Sequence, residues 1–289
     1  MKKGSKIAIV GCSNGQPQKN HEKLEKLYST LSELGLTPVF GDCIYEKESV
    51  FSGTGKERAE VLMNFYRDKE IQAIFDISGG DIANEILPYL DYEQIAESDA
   101  VFWGYSDLTT IINAIFSKTG KKSVLYQVRN LISKDAPEQI ADFSATFFRG
   151  TGDLFSFQYE MIQKESMQGI VVGGNIRCLL KLAGTAYWPD MNGKILLLES
   201  LGGLVPQMTA YLNQLKQIGV FEQINGILMG TFTKMEEEDA APSMTELVKR
   251  YAGRELPIAK TEKIGHGTNA KGIVIGQEIE LKKKKQTYF

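Results

Sequence analysis

The chain is poor in the residues that most often announce a function. It has three cysteines, Cys12, Cys43 and Cys178, widely scattered and odd in number. That pattern fits buried thiols in a reducing cytoplasm better than a disulfide framework. No stretch approaches the roughly 18 consecutive apolar residues of a membrane span. Lys2 and Lys3 give the start the charge of a signal peptide, but the apolar run that follows is too short and leads directly into a strand and turn. The formal net charge of -3 supplies no general field for nucleic acid. What remains, at 289 residues with 43% hydrophobic and 24% charged, is an ordinary globular composition of a size that suggests about two domains. The expectation is a cytoplasmic enzyme or binding protein.

The first half alternates strand and helix signals. Lys6–Val10, Thr37–Phe40, Ala73–Ile77 and Ala100–Trp103 read as strands. Between them lie helical patterns through Leu24, Leu27, Leu31 and Leu34, over Lys56–Arg67, and from Ile82 to just before Pro88. Such alternation implies crossover units and a mostly parallel, Rossmann-like α/β sheet. Ligands then bind beyond the carboxyl ends of the strands, where the loops at Gly11, Gly79-Gly80 and Gly104–Ser106 would line one cleft. Regularity fades from Asp135 to Gln168 and is read as a connector. A second, β-rich α/β domain follows from Gly169. The expected division is 1–135, 136–168 and 169–289. Gly11–Gly15 lacks the spacing of a dinucleotide fingerprint. Gly53-Thr54-Gly55-Lys56 imitates a phosphate loop but has Val50 and Glu57 where glycine and a metal-binding hydroxyl belong, so both read as turns. The basic run Lys282–Lys285 reads as a solvated edge or tail.

One stretch carries chemistry. Ala100–Trp103 stops at Gly104-Tyr105-Ser106, and a helix with Leu108, Ile111, Ile112, Ile115 and Phe116 on one face begins. Ser106 thus stands where a strand ends and a helix starts, beside backbone N–H groups that stabilise negative charge. This is half of a nucleophile elbow, with Leu108 in place of the second glycine. A serine capping a helix is the other reading. A nucleophilic serine needs a base and a group to orient it. Of two histidines, His21 sits at the polar start of the first helix and reads as surface. His266 lies in the glycine-flanked loop Gly265-His266-Gly267. Glu199 ends the buried run Ile195–Leu198, where a charge is costly unless paired. A turn histidine and a strand-end cap remain the plainer readings of these two. Together they give Ser106, Glu199 and His266 as candidate nucleophile, acid and base.

These residues belong to a set of ordered motifs: Ser78-Gly79-Gly80 with Leu87–Tyr92, Gly104–Thr109, Gly173-Gly174-Asn175 with Gly184-Thr185, Gly193–Glu199, and Gly265-His266-Gly267. In order and spacing, over nearly the whole chain, they resemble the LD-carboxypeptidase family of serine peptidases. That family includes muramoyl-tetrapeptide carboxypeptidases and microcin C immunity peptidases. The resemblance implies Ser106 as nucleophile, Glu199 as acid, His266 as base, and an oxyanion hole from the backbone N–H groups of Gly80 and Asp107. It implies no metal and no organic cofactor, a small peptide substrate such as a murein tetrapeptide, and a homodimer. An immunity hydrolase of a peptide- or aminoacyl-nucleotide toxin is the alternative within the fold. Trp188, Tyr187 and Trp103 are then the candidates to stack on adenine. A non-catalytic binder of peptidoglycan fragments is the alternative outside enzymology. Two features depart from the family pattern. Ser123–Asn130 replaces a short apolar strand ending in Gly-Pro, and Asp81 follows Gly79-Gly80. Both lie on the expected cleft walls.

Overall fold

The computed structural model describes residues 2–283. Two six-stranded sheets organise the chain. The first contains β1 (Lys6–Val10), β2 (Thr37–Phe40), β3 (Ile71–Asp76), β4 (Val101–Gly104) and β5 (Ser123–Leu125), all parallel. Their order is β5-β4-β3-β1-β2, so the strand order reverses between β3 and β1. The second contains β6 (Glu160–Gln163), β7 (Ser166–Asn175), β8 (Lys194–Ser200), β9 (Gly226–Phe232) and β10 (Ile258–Lys260). Strands β7 to β10 are parallel, and β6 lies antiparallel at one edge. Strand β11 (Ile273–Ile275) returns to the first sheet and pairs antiparallel with β5, while β12 (Glu278–Lys282) closes the second against β7. The fold is thus two α/β units with mostly parallel sheets flanked by helices.

The helices follow the apolar periodicity. In α1 (His21–Glu33) Leu24, Leu27 and Leu31 are buried, and in α2 (Gly55–Arg67) Ala59, Leu62, Met63 and Tyr66 are. Thr54 and Glu57 form a capping box at the start of α2, which is what the glycine-rich turn serves. Helices α3 (Tyr92–Glu97) and α4 (Thr109–Thr119) flank β4, and Gly120 ends α4 in a left-handed C-cap. Two expectations need correction. The turn after Ile82 is a 3-10 helix, Ala83–Tyr89, that includes Pro88 rather than ending before it. The segment after Asp135 is not irregular throughout. Helix α5 (Ala136–Ser144) has Pro137 in its first turn, where the missing N–H costs nothing, and buries Gln139 and Phe143. Helices α6 (Ile176–Leu180) and α7 (Val205–Gln217) belong to the second sheet. Of the basic run, Lys282 and Lys283 pair with Glu280 and Glu165 at an exposed edge, and its last two residues lie outside the described residues. Among the described residues no helix is long and apolar enough to cross a membrane.

Candidate active site

Ser106 follows the carboxyl end of β4 with φ +57°, a left-handed value that costs a non-glycine residue about 1–2 kcal/mol. The turn is tight enough that a Cβ on Gly104 would lie 2.6 Å from the Cβ of Leu108. Leu108 itself is buried, so the residue that spoils the second half of the elbow pattern is a core residue of the first turn. Ser106 remains partly open to a cavity of about 270 Å³. That cavity is walled by Ser78–Gly80, Tyr105-Ser106, Gly265–Gly267, Leu201, and Gln127, Arg129 and Asn130 from the segment after β5.

The second sheet delivers Glu199 and His266 to the same place. Glu199 is the penultimate residue of β8 and has no exposed surface. His266 Nδ1 lies 2.8 Å from Glu199 Oε2, within ion-pair range. The ring is off the hydrogen-bond axis, and its Nε2 has no hydrogen-bond partner among the described residues. Serine–histidine bonds of this kind are often long until substrate tightens them. Two glycines allow the approach. A Cβ on Gly230 would meet the Ile264 carbonyl at 2.2 Å, and one on Gly265 would meet the Thr231 hydroxyl at 1.7 Å. The backbone bond from Thr231 N to Ile264 O, 2.8 Å, then seats the histidine loop beside β9.

Tyr105 is one residue that sequence reasoning missed. Its hydroxyl donates to Glu199 Oε2 at 2.9 Å, and its ring meets His266 edge-on with centroids 4.8 Å apart. Burial, reinforced by Glu199, pushes the phenol well above its ordinary pKa, so it stays a donor. Its place between Gly104 and Ser106 was the only available signal.

Asp107 does more than complement the helix dipole. It is fully buried, and its Oδ2 accepts from Ser13 Oγ (2.7 Å) and Ala83 N (2.8 Å). Lys181, just past α6, donates to its Oδ1 at 2.5 Å. Gly80 adopts φ +127°, and a Cβ there would overlap the Asn14 side chain at 2.2 Å. Arg177 Nη2 donates to Gly80 O at 3.1 Å and also pairs with Asp81. The Gly11–Gly15 loop therefore does not line the cavity, as expected of it, but braces the two loops that do.

The other candidates fall elsewhere. His21 bonds Tyr45 through Nδ1 at 2.9 Å on the exposed start of α1. It lines a larger cavity, about 970 Å³, between α1, α2 and the loop after β2. The Cys43 thiol there is pushed up by burial and is not an activated thiolate. Trp103 is buried against Phe75 and Phe147, at 5.2 and 5.1 Å. Tyr187 packs on Tyr92, and Trp188 is part of the core between the sheets. None of the three lines the cavity of Ser106. Among the described residues no group of three or more His, Cys, Asp or Glu side chains is placed to hold a metal ion.

Comparison with known proteins gives a consistent result. Residues 7–126 match the LD-carboxypeptidase N-terminal domain and residues 168–281 the LD-carboxypeptidase C-terminal domain. A Bacillus subtilis protein named "Probable murein peptide carboxypeptidase" is 27% identical over 301 residues, covering 99% of this chain and 92% of its own. The Escherichia coli microcin C7 self-immunity protein MccF is 25% identical over 264 residues, covering 79% and 76%. The structure of MccF in complex with glutamyl sulfamoyl guanosine superposes with a TM-score of 0.87 at 18% identity, over 98% of this chain and 94% of that one. The chain belongs to the LD-carboxypeptidase family of serine peptidases.

Proposed function

We propose that this enzyme is a serine carboxypeptidase that removes a terminal D-amino acid from murein-derived peptides by cleaving an L,D-amide bond. The observation that carries this reading is Ser106, held at φ +57° in one cavity with His266, whose Nδ1 lies 2.8 Å from the buried Glu199. Ser106 Oγ attacks the scissile carbonyl while His266 takes its proton. Glu199 orients the imidazole and stabilises the imidazolium. The backbone N–H groups of Gly80 and Asp107 receive the oxyanion. His266 then protonates the departing amine, and a water activated by His266 hydrolyses the acyl-enzyme. No metal and no organic cofactor enters this scheme. The three described cysteines are free thiols, which supports action in a reducing cytoplasm, and we assign a homodimer by analogy with the family. The proposed division remains 1–135, 136–168 and 169–289, although β6 and the first residues of β7 lie in the connector and β11 pairs with the first sheet.

An aminoacyl-nucleotide substrate is the second reading, since MccF is among the relatives. Two observations favour the peptide. The cavity, about 270 Å³, is below the roughly 300–1,000 Å³ of sites that enclose drug-sized ligands, and it suits an amino-acid leaving group. The three aromatic side chains suited to stacking on adenine are engaged elsewhere. Incubation with a murein tetrapeptide and, separately, with an aminoacyl-sulfamoyl adenosine, followed by mass spectrometry, tests the reading. Release of D-alanine supports it. Turnover of the nucleotide alone selects the immunity function, and turnover of neither leaves a binder of peptidoglycan fragments.

A further inference from the structure

Arg129 is a cation in the catalytic cavity with nothing to hold. It lies in the segment after β5, lines the same cavity as Ser106 and His266, and is only partly exposed. Among the described residues its Nε has no hydrogen-bond partner and no carboxylate stands within 4.0 Å of the guanidinium. Burial lowers its pKa and Asp76 acts in the other direction, yet guanidinium stays charged in any protein. Asp76 does not close the pair. Its Oδ2 accepts from Cys12 N at 2.7 Å, and its Oδ1 accepts from Ser78 N at 2.7 Å and Ser78 Oγ at 2.5 Å. The backbone around Arg129 is fixed, with its N–H donating to Gln127 Oε1 at 3.2 Å as that side chain caps the short helix Val128–Ile132. A buried cation is expensive unless a partner arrives. A planar guanidinium facing a small cavity matches a carboxylate, which it grips with two parallel N–H bonds.

Resting on the carboxypeptidase reading, we infer that Arg129 binds the α-carboxylate of the departing amino acid. That carboxylate sits one carbon from the amine that His266 protonates. A charge placed in this cavity therefore reads the end of the chain without touching the scissile carbonyl. It gives a role to an arginine in the cleft-wall segment Ser123–Asn130, which departs from the family pattern. It also makes the enzyme an exopeptidase, because an internal residue presents a neutral amide to Arg129.

The test compares two substrates in one enzyme: a murein tetrapeptide ending in D-alanine, and the same peptide ending in D-alaninamide. A charge-assisted hydrogen bond predicts a wild-type preference in kcat/KM of roughly 10- to 100-fold for the free acid. Arg129→Gln should bring that ratio close to one by lowering the rate on the acid, and Arg129→Lys should retain part of it. Both substrates sample the same folded population, so misfolding lowers both rates and leaves the ratio alone. If Arg129→Gln yields no folded protein, the Arg129→Lys ratio decides. Wild-type enzyme that cleaves both peptides equally, or Arg129 variants that keep the full preference, would overturn the inference and leave the carboxypeptidase reading intact. An Arg129→Gln enzyme that loses only aminoacyl-sulfamoyl adenosine turnover would assign the guanidinium to another anion. Wild-type enzyme that cleaves neither peptide overturns both.

Discussion

Replacing Lys181 by methionine tests the electrostatic clamp beneath the proposed oxyanion hole, together with the weaker, more exposed contacts of Lys181 to the Asp81 carbonyl (2.8 Å) and carboxylate (3.8 Å). Lys181 Nζ lies 2.5 Å from Asp107 Oδ1, and Asp107 is wholly buried. Removing one partner of a buried pair costs about 3–5 kcal/mol, because the other charge is left uncompensated. Two features place the cost at the lower end. Asp107 keeps two donors, Ser13 Oγ and Ala83 N, and the Lys181 side chain is 19% exposed, so water reaches the vacated oxygen. Methionine retains the apolar stem, which leaves about 3 kcal/mol and a loss of roughly 6–12 °C in Tm. Lys234 provides the control. Its Nζ also lies 2.5 Å from a carboxylate, Glu238, but both side chains are about half exposed. Lys234→Met should be indistinguishable from wild type, since exposed pairs often contribute nothing measurable. Urea unfolding followed by two spectroscopic probes measures both variants and checks that the transitions coincide. If the two substitutions cost the same, burial is not what gives the Asp107 pair its strength, and the reasoning fails.

Three further outcomes follow. Ser106→Ala should abolish peptide hydrolysis, whereas Ser106→Gly should be equally inactive yet about 0.5–1 kcal/mol more stable, since strain relieved at positive φ exceeds the entropy cost of glycine. Equal stability of all three proteins would argue against stored strain at the elbow. Tyr105→Phe should cost about 1.5–3 kcal/mol and at least roughly tenfold in kcat/KM, because it removes the hydroxyl that bonds the buried Glu199; wild-type values in both assays would remove Tyr105 from the site. Native protein at pH 8 should react with thiol reagents at Cys43 first. Cys12 and Cys178 are buried, Cys178 with its thiol pushed up to about 12, so they should react only as the chain opens, and rapid triple labelling contradicts this.

Much of this site was legible because its residues obey local rules. A strand, a glycine turn and an amphipathic helix mark Ser106 from sequence alone, and the buried run before Glu199 marks a carboxylate that must have a partner. Tyr105, Asn14, Arg177 and Lys181 were not legible, because each acts across a distance in sequence. Lys181 reaches Asp107 over 74 residues, and Tyr105 reaches Glu199 over 94. No periodicity records such a pairing. Helix α5 was lost for a different reason: Pro137 reads as a breaker in the middle of a segment and as a helix start only when its position is known.

The separation of the proposed nucleophile and base between two sheets suggests that relative movement of two domains assembles the site. The packing argues otherwise. Neighbouring domains move freely unless their interface is large and apolar, and here a single apolar cluster runs from Ala8, Phe102 and Ile112 to Val171, Ile195 and Ile264. Helix α4, which begins three residues after Ser106, is bonded directly to the second sheet. Asn113 exchanges two hydrogen bonds with Gly173, at 2.8 and 2.9 Å, and Thr109 Oγ1 accepts from Asn175 N at 3.0 Å. A Cβ on Gly174 would strike Thr109 at 2.7 Å, so the glycine pair at the end of β7 is what lets helix and strand touch. Strand β11 then ties the C-terminal segment into the first sheet. Opening this interface would expose shared core and leave buried amide groups unpaired. Ser106 and His266 are therefore held in their relative positions by the fold itself rather than by a movement of one sheet against the other.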